Sequence, residues 1–207
     1  MRHVTQERAL RTREKLFRAG AEVFDEFGYS GAGINKILER AGVTTSALYF
    51  HFESKEGLAK AVMNAQPQAI EGMLHSEGLQ RLVDITLVWA QRLQTDPVLR
   101  AGVRLSVEQG AFGVRDATAY LSWRGIMEGC LREAERNGEL RCDLDLEEVA
   151  EFVVGACTGV QLYAQLVSGR QDLPKRTVRM WELLLPGVAV PEAAARMDLD
   201  PMRGISA

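Results

Sequence analysis

The chain has 207 residues, of which 46% are hydrophobic and 26% charged, an ordinary composition for a soluble globular protein with one large domain or two small ones. Its uninterrupted apolar runs are too short to span a bilayer, and the start, Met1 to Glu7, is polar without an apolar signal region, so the expectation is a cytoplasmic protein with no membrane partner. Cys130, Cys142 and Cys157 are odd in number and lack C-x-x-C pairing, which excludes a disulfide framework or a zinc site and leaves buried free thiols as the expectation. The net charge of −3 hides an asymmetry: residues 1–60 carry ten Lys/Arg against eight Asp/Glu, and the remainder fifteen against twenty. The excess lies at the start, where Arg2, Arg8, Arg11, Arg13, Lys15 and Arg18 face only Glu7 and Glu14. A basic arm on an acidic body suits a phosphate-binding end, although a solvated helix face has the same composition.

Helical periodicity dominates the whole chain. Leu16, Ala19, Val23, Phe24 and Phe27 form one apolar stripe, and Gly28 suits a left-handed cap after it. Ile34, Ile37 and Leu38 open a shorter helix that Ala41-Gly42-Val43 breaks. Thr44 is placed to cap a third helix through Phe50, with Leu48 and Phe52 turned inward. Ser54 caps a fourth, from Lys55-Glu56 to about Gln66, where Pro67 interrupts it. Leu79, Leu82, Val83, Leu87, Ala90 and Leu93 mark the next helix, and Asp96-Pro97 starts another. Further helices are expected over about 116–136, ending at Asn137-Gly138, and from Asp145 with Val149, Phe152, Val153, Ala156, Val160 and Ala164 on one face. A last one runs from Pro174 to Leu185, before Pro186. No strand or repeat is evident, and the residues from about Met197 read as frayed. The fold class is therefore all-α.

Residues 34–52 carry the chemistry. Two short helices joined by a tight turn make a helix-turn-helix, and the turn needs Gly42 because a left-handed backbone is cheap only without a side chain. Val43 packs the corner. The second helix is then free to present its N-terminal residues to base edges in a major groove. That points Thr44, Thr45, Ser46 and Tyr49 at DNA and sets His51 and Lys55 where phosphates run, with Arg11 and Arg13 of the basic arm counted on the same side. By pattern alone, a plain three-helix bundle fits equally well.

The order Phe24-x-x-x-Gly28-Tyr29, Ile34-x-x-Ile37, then Ala41-Gly42-Val43-Thr44-x-x-Ala47-Leu48-Tyr49-Phe50-His51-Phe52-x-x-Lys55-x-x-Leu58 resembles the TetR family signature at nearly every position. Tyr49 to Phe52, the run Val98 to Leu105, Trp123-Arg124, Asn137 to Leu140 and Thr158 to Gln161 extend the resemblance to the γ-butyrolactone receptors of streptomycetes. It implies an N-terminal three-helix reader over 1–54 and a larger helical body over 55–207 for ligand binding and dimerisation. It also implies a homodimer that represses promoters from a pseudo-palindromic operator until a small signalling lactone binds. A pseudo-receptor of the same fold, answering to an antibiotic or its precursor, is the alternative. Two positions depart from the pattern. Relatives commonly carry Thr at Gly33, which is counted with the interface as a helix cap but has no hydroxyl for a phosphate. Relatives often carry Lys-Gly at Thr45-Ser46, which leaves the operator sequence open but not the expectation of DNA binding.

The resemblance further assigns Trp123 to the wall of the ligand pocket and Gln66 and Thr158 to hydrogen bonds with the ligand. By its pattern alone, Trp123 reads as core. Gly155 and Gly159 leave room either for a ligand or for close approach of a partner helix. The helices near 146–168 and 174–185 are expected to pair with their mates, since they are apolar on more than one face. No nucleophile elbow, phosphate loop or metal cluster is present, and His3, His51 and His75 are scattered, so no enzyme activity, cofactor or metal is expected.

Overall fold

In the computed structural model the described residues are 2–67, 70 and 74–203. They fold into helices joined by turns, and the one strand-like feature among them is a single antiparallel bridge between Leu140 and Ala189. The chain forms two compact units, Met1–Ala69 with Asp96–Ala119, and Ile70–Thr95 with Tyr120–Ala207.

In the first unit, α1 (Arg2–Gly31) does not stop at Phe27 as its stripe predicts. Gly28 takes φ +65° and kinks the helix, which continues for a further short turn. α2 (Ile34–Ala41) ends at Gly42 with φ +64°, the left-handed turn the sequence demands. α3 spans Thr45–Phe52; Thr44 occupies its N-cap position, but the hydroxyl makes no capping bond. Ser54 does cap α4 (Lys55–Asn64), its Oγ accepting from the Gly57 amide at 2.9 Å. α4 ends two residues short of Gln66. The apolar stripes of these helices meet in one core of Leu16, Val23, Phe24, Ile37, Leu48, Leu58 and Val62. α6 (Pro97–Val107), capped by the Asp96 carboxylate, completes that core with Ala101 and Leu105 and packs on α1 and α4. The expected reader boundary at 54/55 coincides with the Ser54 cap, and α4 and α6 both belong to the same compact unit as α1–α3.

In the second unit, α5 (Gly78–Thr95) is buried nearly all round. Its first amides are held by carboxylates, Gly78 donating to Glu133 and Leu79 to Glu139 at 3.0 and 2.9 Å. α7 (Thr118–Arg136) is followed by α8 (Leu146–Ser168), capped by Asp145, and by α9 (Leu173–Val188), which packs on α5 and α8. The short α10 (Pro191–Arg196) closes the helical part.

Several expectations are corrected here. The inner face of α8 is Ala150, Val153, Val154, Cys157, Gln161 and Ala164, while Phe152 is exposed, because a helix apolar on several sides does not reveal by periodicity which side is core. α9 runs through Pro186: so near the end, the ring costs one intrahelical bond, and the Ala189 amide still closes on Leu185 at 2.8 Å. Cys142 is exposed in the turn after α7, unlike the buried Cys130 and Cys157. The stretch 198–203 is fastened rather than frayed. Arg203 donates to the buried Asp84 carboxylate at 2.8 and 3.1 Å, and Gln80 accepts from the Asp198 amide at 2.9 Å. Finally, α8 is by length and composition apolar enough to cross a bilayer. Counting uninterrupted apolar runs missed this because Gly155, Thr158-Gly159 and Gln161 break the run while the average stays high.

Candidate DNA interface and sensor residues

The candidate reading face is built by burying one side of α3. Leu48 and Phe52 are locked into the core, so the opposite side of this two-turn helix must face out. Thr44, Thr45 and Ser46 are exposed at its N-terminal end, and Tyr49 lies one turn further along the same side. His51 is half-buried with its ring 4.9 Å from that of Phe50, edge to face. Lys55 stacks its ammonium 4.2 Å from the centre of the Tyr29 ring, and partial burial lowers its pKa. Arg13 lies across the Phe52 ring at 5.1 Å, which ties the basic arm to the end of α3. Arg11 is exposed and paired with Glu7 at 2.5 Å, a surface i,i+4 pair that is easily exchanged for a phosphate. Gly33 caps α2 from an exposed position with no neighbour within 4 Å of where a side chain would start.

One residue on this face was not among the expected contacts. Phe50 is 79% exposed, an unusual setting for a phenylalanine. The signal was available, since inward Leu48 and Phe52 leave Phe50, two positions from each, on the outer side. On α1, Arg8, Arg11, Lys15 and Arg18 recur at helical spacing and are all exposed, so the basic arm is one stripe along a helix.

The expected sensor residues are described within their own units. In the first, Gln66 is buried; its Nε2 donates to the Met63 carbonyl at 3.0 Å, and its side chain lies against Gly102 of α6, where an added Cβ would come within 2.8 Å. In the second, Trp123 is buried on α7, and the Thr158 hydroxyl donates to the Val154 carbonyl at 2.9 Å. The phenol of Tyr120, one turn before Trp123, lies near Thr158; burial raises the Tyr120 pKa, and the Thr158 side chain opposes the rise. α7 thus brings a phenol to the neighbourhood of Thr158, and Tyr120 was not anticipated. Among the described residues the unit also holds buried donors without an acceptor, Trp89 Nε1 and Gln161 Nε2 among them. Burial pushes the adjacent Cys157 thiol up to about 12, so it behaves as an inert apolar group. Among the described residues no group of His, Cys, Asp and Glu is placed to hold a metal ion.

Residues 16–62 match the family of bacterial regulatory proteins of the tetR type, and residues 76–191 match the tetracyclin repressor-like C-terminal domain. The chain belongs to the TetR family. The two matches cover most of this TetR-family chain and identify it as a DNA-binding regulator with the helix-turn-helix at its N-terminal end. It is similar to the A-factor receptor protein of Streptomyces griseus, 38% identical over 192 residues that span 93% of this chain and 69% of the receptor. Among solved structures it is similar to full-length TylP, a TetR regulator from Streptomyces fradiae, with 41% identity, a TM-score of 0.88 and 96% of each chain covered. It is also similar to a γ-butyrolactone receptor described as ArpA-like, with 30% identity, a TM-score of 0.69 and coverage of 91% of this chain and 93% of that one.

Proposed function

We propose that this regulator is a homodimeric repressor that leaves its operator when a γ-butyrolactone-type signal binds, with the reader over 1–54 and the sensing and dimerising body over 55–207. The observation that carries the DNA half is the α3 face of Thr45, Ser46, Tyr49 and Phe50, held outward by buried Leu48 and Phe52. A dimer brings two such helices to successive major grooves, about 34 Å apart, and so reads a pseudo-palindrome. Tyr49→Ala should weaken operator binding about tenfold by removing a contact at the groove. Lys55→Ala should weaken it and reduce the salt dependence by about one counterion, because a phosphate contact is lost. The check is fluorescence anisotropy on a duplex selected by the wild-type protein from a random pool, at several salt concentrations. Wild-type affinity for both variants would show that the face is wrong.

The likeness to the A-factor receptor supports the ligand half, together with Gln66, Trp123 and Thr158 at positions of the receptor pattern. An indole covers a lactone ring well, and a few polar groups in an apolar wall fix its orientation. Among the described residues the Gln66 amide donates to a carbonyl three residues back, a bond that a ligand acceptor can replace at little cost. Gln66 lies just past the end of α4, whose other end follows the reader, so recruiting it shifts α4 and the angle of α3. A preference for the released state of about 2.7 kcal/mol moves the balance 100-fold. Trp123→Ala and Gln66→Ala should still bind the duplex but need about tenfold more of a synthetic acyl γ-butyrolactone to let go. An unchanged titration would place that residue in the core alone.

The dimer half rests on α8, where Phe152, Gly155, Gly159, Tyr163 and Leu166 follow one another at helical spacing and are all exposed. Both glycines have open space where a side chain would start, which favours the approach of a partner helix over the ligand reading.

A further inference from the structure

α6 supplies more to the reader than core packing. The kink at Gly28 breaks the backbone ladder of α1. In a regular helix the Tyr29 amide would donate to the Asp25 carbonyl, four residues back. Gly28, at φ +65° and ψ −179°, turns that peptide off the helical path. The Tyr29 amide donates to Glu108 Oε2 at 3.1 Å, and the Asp25 carbonyl accepts from Arg104 Nη1 at 2.8 Å. Arg104 and Glu108 bind each other through Nε and Oε1 at 2.7 Å. This pair therefore spans the gap in α1, one member holding each half of the interrupted bond.

Two further observations point the same way. The Asp25 carboxylate is gripped by Arg100, one turn earlier on α6, with Nε and Nη2 at 2.7–3.1 Å. Such a forked, charge-assisted contact fixes direction as well as distance. An added Cβ at Gly28 would lie 2.7 Å from both Arg104 Nη2 and Glu108 Oε2, so the splint is seated directly on the kink. All four charged side chains are partly sheltered, between 21% and 33% exposed, where an ion pair keeps more of its strength than at an open surface.

We infer that Arg104 and Glu108 are positioning residues for DNA recognition: they splint the kink at Gly28 and so set the direction in which α1 delivers the chain to α2 and α3. The reader's angle is then fixed by α6 as well as by α4. Because Gln66 rests on Gly102 of the same helix, a change at Gln66 reaches the kink through α6 without first passing along α4.

The test uses the full-length protein without ligand. Arg104→Met leaves the Asp25 carbonyl and Glu108 without their partner. Glu108→Gln keeps an acceptor for the Tyr29 amide. In Arg104→Met, amide exchange should accelerate about tenfold at Tyr29–Ala32 and stay unchanged at Leu16–Val23, while affinity for the selected duplex falls about tenfold. Glu108→Gln should stay within about threefold of wild type in both readouts. Exchange reads the kink without DNA, so accelerated exchange with unaltered affinity would overturn the positioning role and leave only a structural bond. Unaltered exchange, or acceleration spread over all of α1, would overturn the splint itself.

Discussion

Phe152→Glu together with Leu166→Glu should convert the protein to a monomer and weaken operator binding about 100-fold or more. Both side chains are exposed, Leu166 at 86%, so the charges replace nothing in the fold of one copy. They sit at the two ends of the exposed row on α8 that the proposed dimer covers, near Tyr163 and with exposed Leu183 on neighbouring α9. In a two-fold interface each substitution occurs on both sides, so four carboxylates would have to be desolvated together without partners. The loss of DNA affinity follows from linkage. A dimer binds its second half-site at an effective concentration far above that of a free monomer, and this alone contributes a factor of roughly 10²–10⁴. Light scattering at micromolar protein and anisotropy on the selected duplex check the two halves separately. A variant that remains dimeric would move the interface off α8. A monomer that keeps wild-type affinity would refute the two-half-site mode.

The reader was legible because its signals are local. The Leu16–Phe27 stripe, the left-handed Gly42, the Ser54 cap and the inward pair Leu48 and Phe52 each depend on residues close together in sequence. The kink at Gly28 was half legible: the positive φ was expected, but not the extra turn beyond it, because what steadies that turn comes from Arg104 and Glu108, through bonds that span 79 residues. The same reason hid α6, whose sequence reads as part of the body while Ala101 and Leu105 lie in the reader core. The tail was misread because polar residues such as Asp198 and Arg203 resemble a solvated end until buried Asp84 is seen to hold Arg203, which in turn donates to Asp198. Trp123 and Thr158 were named from a family pattern. The phenol of Tyr120 beside Thr158 needed the approach of α7 to α8, where Arg124 also pairs with Glu147 and Glu151.

Trp181→Ala should destabilise the second unit by about 3–5 kcal/mol, the usual cost of removing a fully buried tryptophan from a core. Trp181 has no exposed surface and lies on the face of α9 that packs on α5, with Thr177 and Leu185 buried one turn to either side. Its indole N–H donates to Thr86 Oγ1 at 2.7 Å, and that hydroxyl in turn donates to the Val83 carbonyl at 2.8 Å. Removing the ring therefore leaves a cavity between two helices and a buried oxygen with an unanswered lone pair. Trp181→Phe separates the two terms. It refills most of the volume and loses only the N–H, so it should cost about 1–2 kcal/mol. Urea unfolding at fixed protein concentration measures both, since dimerisation makes apparent stability depend on concentration. Hydrogen exchange should show the loss of protection first in α5 and α9, while the amides of Leu16, Phe24 and Ile37 in the separate reader core keep theirs. If Trp181→Ala costs less than about 1 kcal/mol, the α5–α9 contact is not the centre of the second unit's core. If protection falls equally in the reader, the two cores unfold as one.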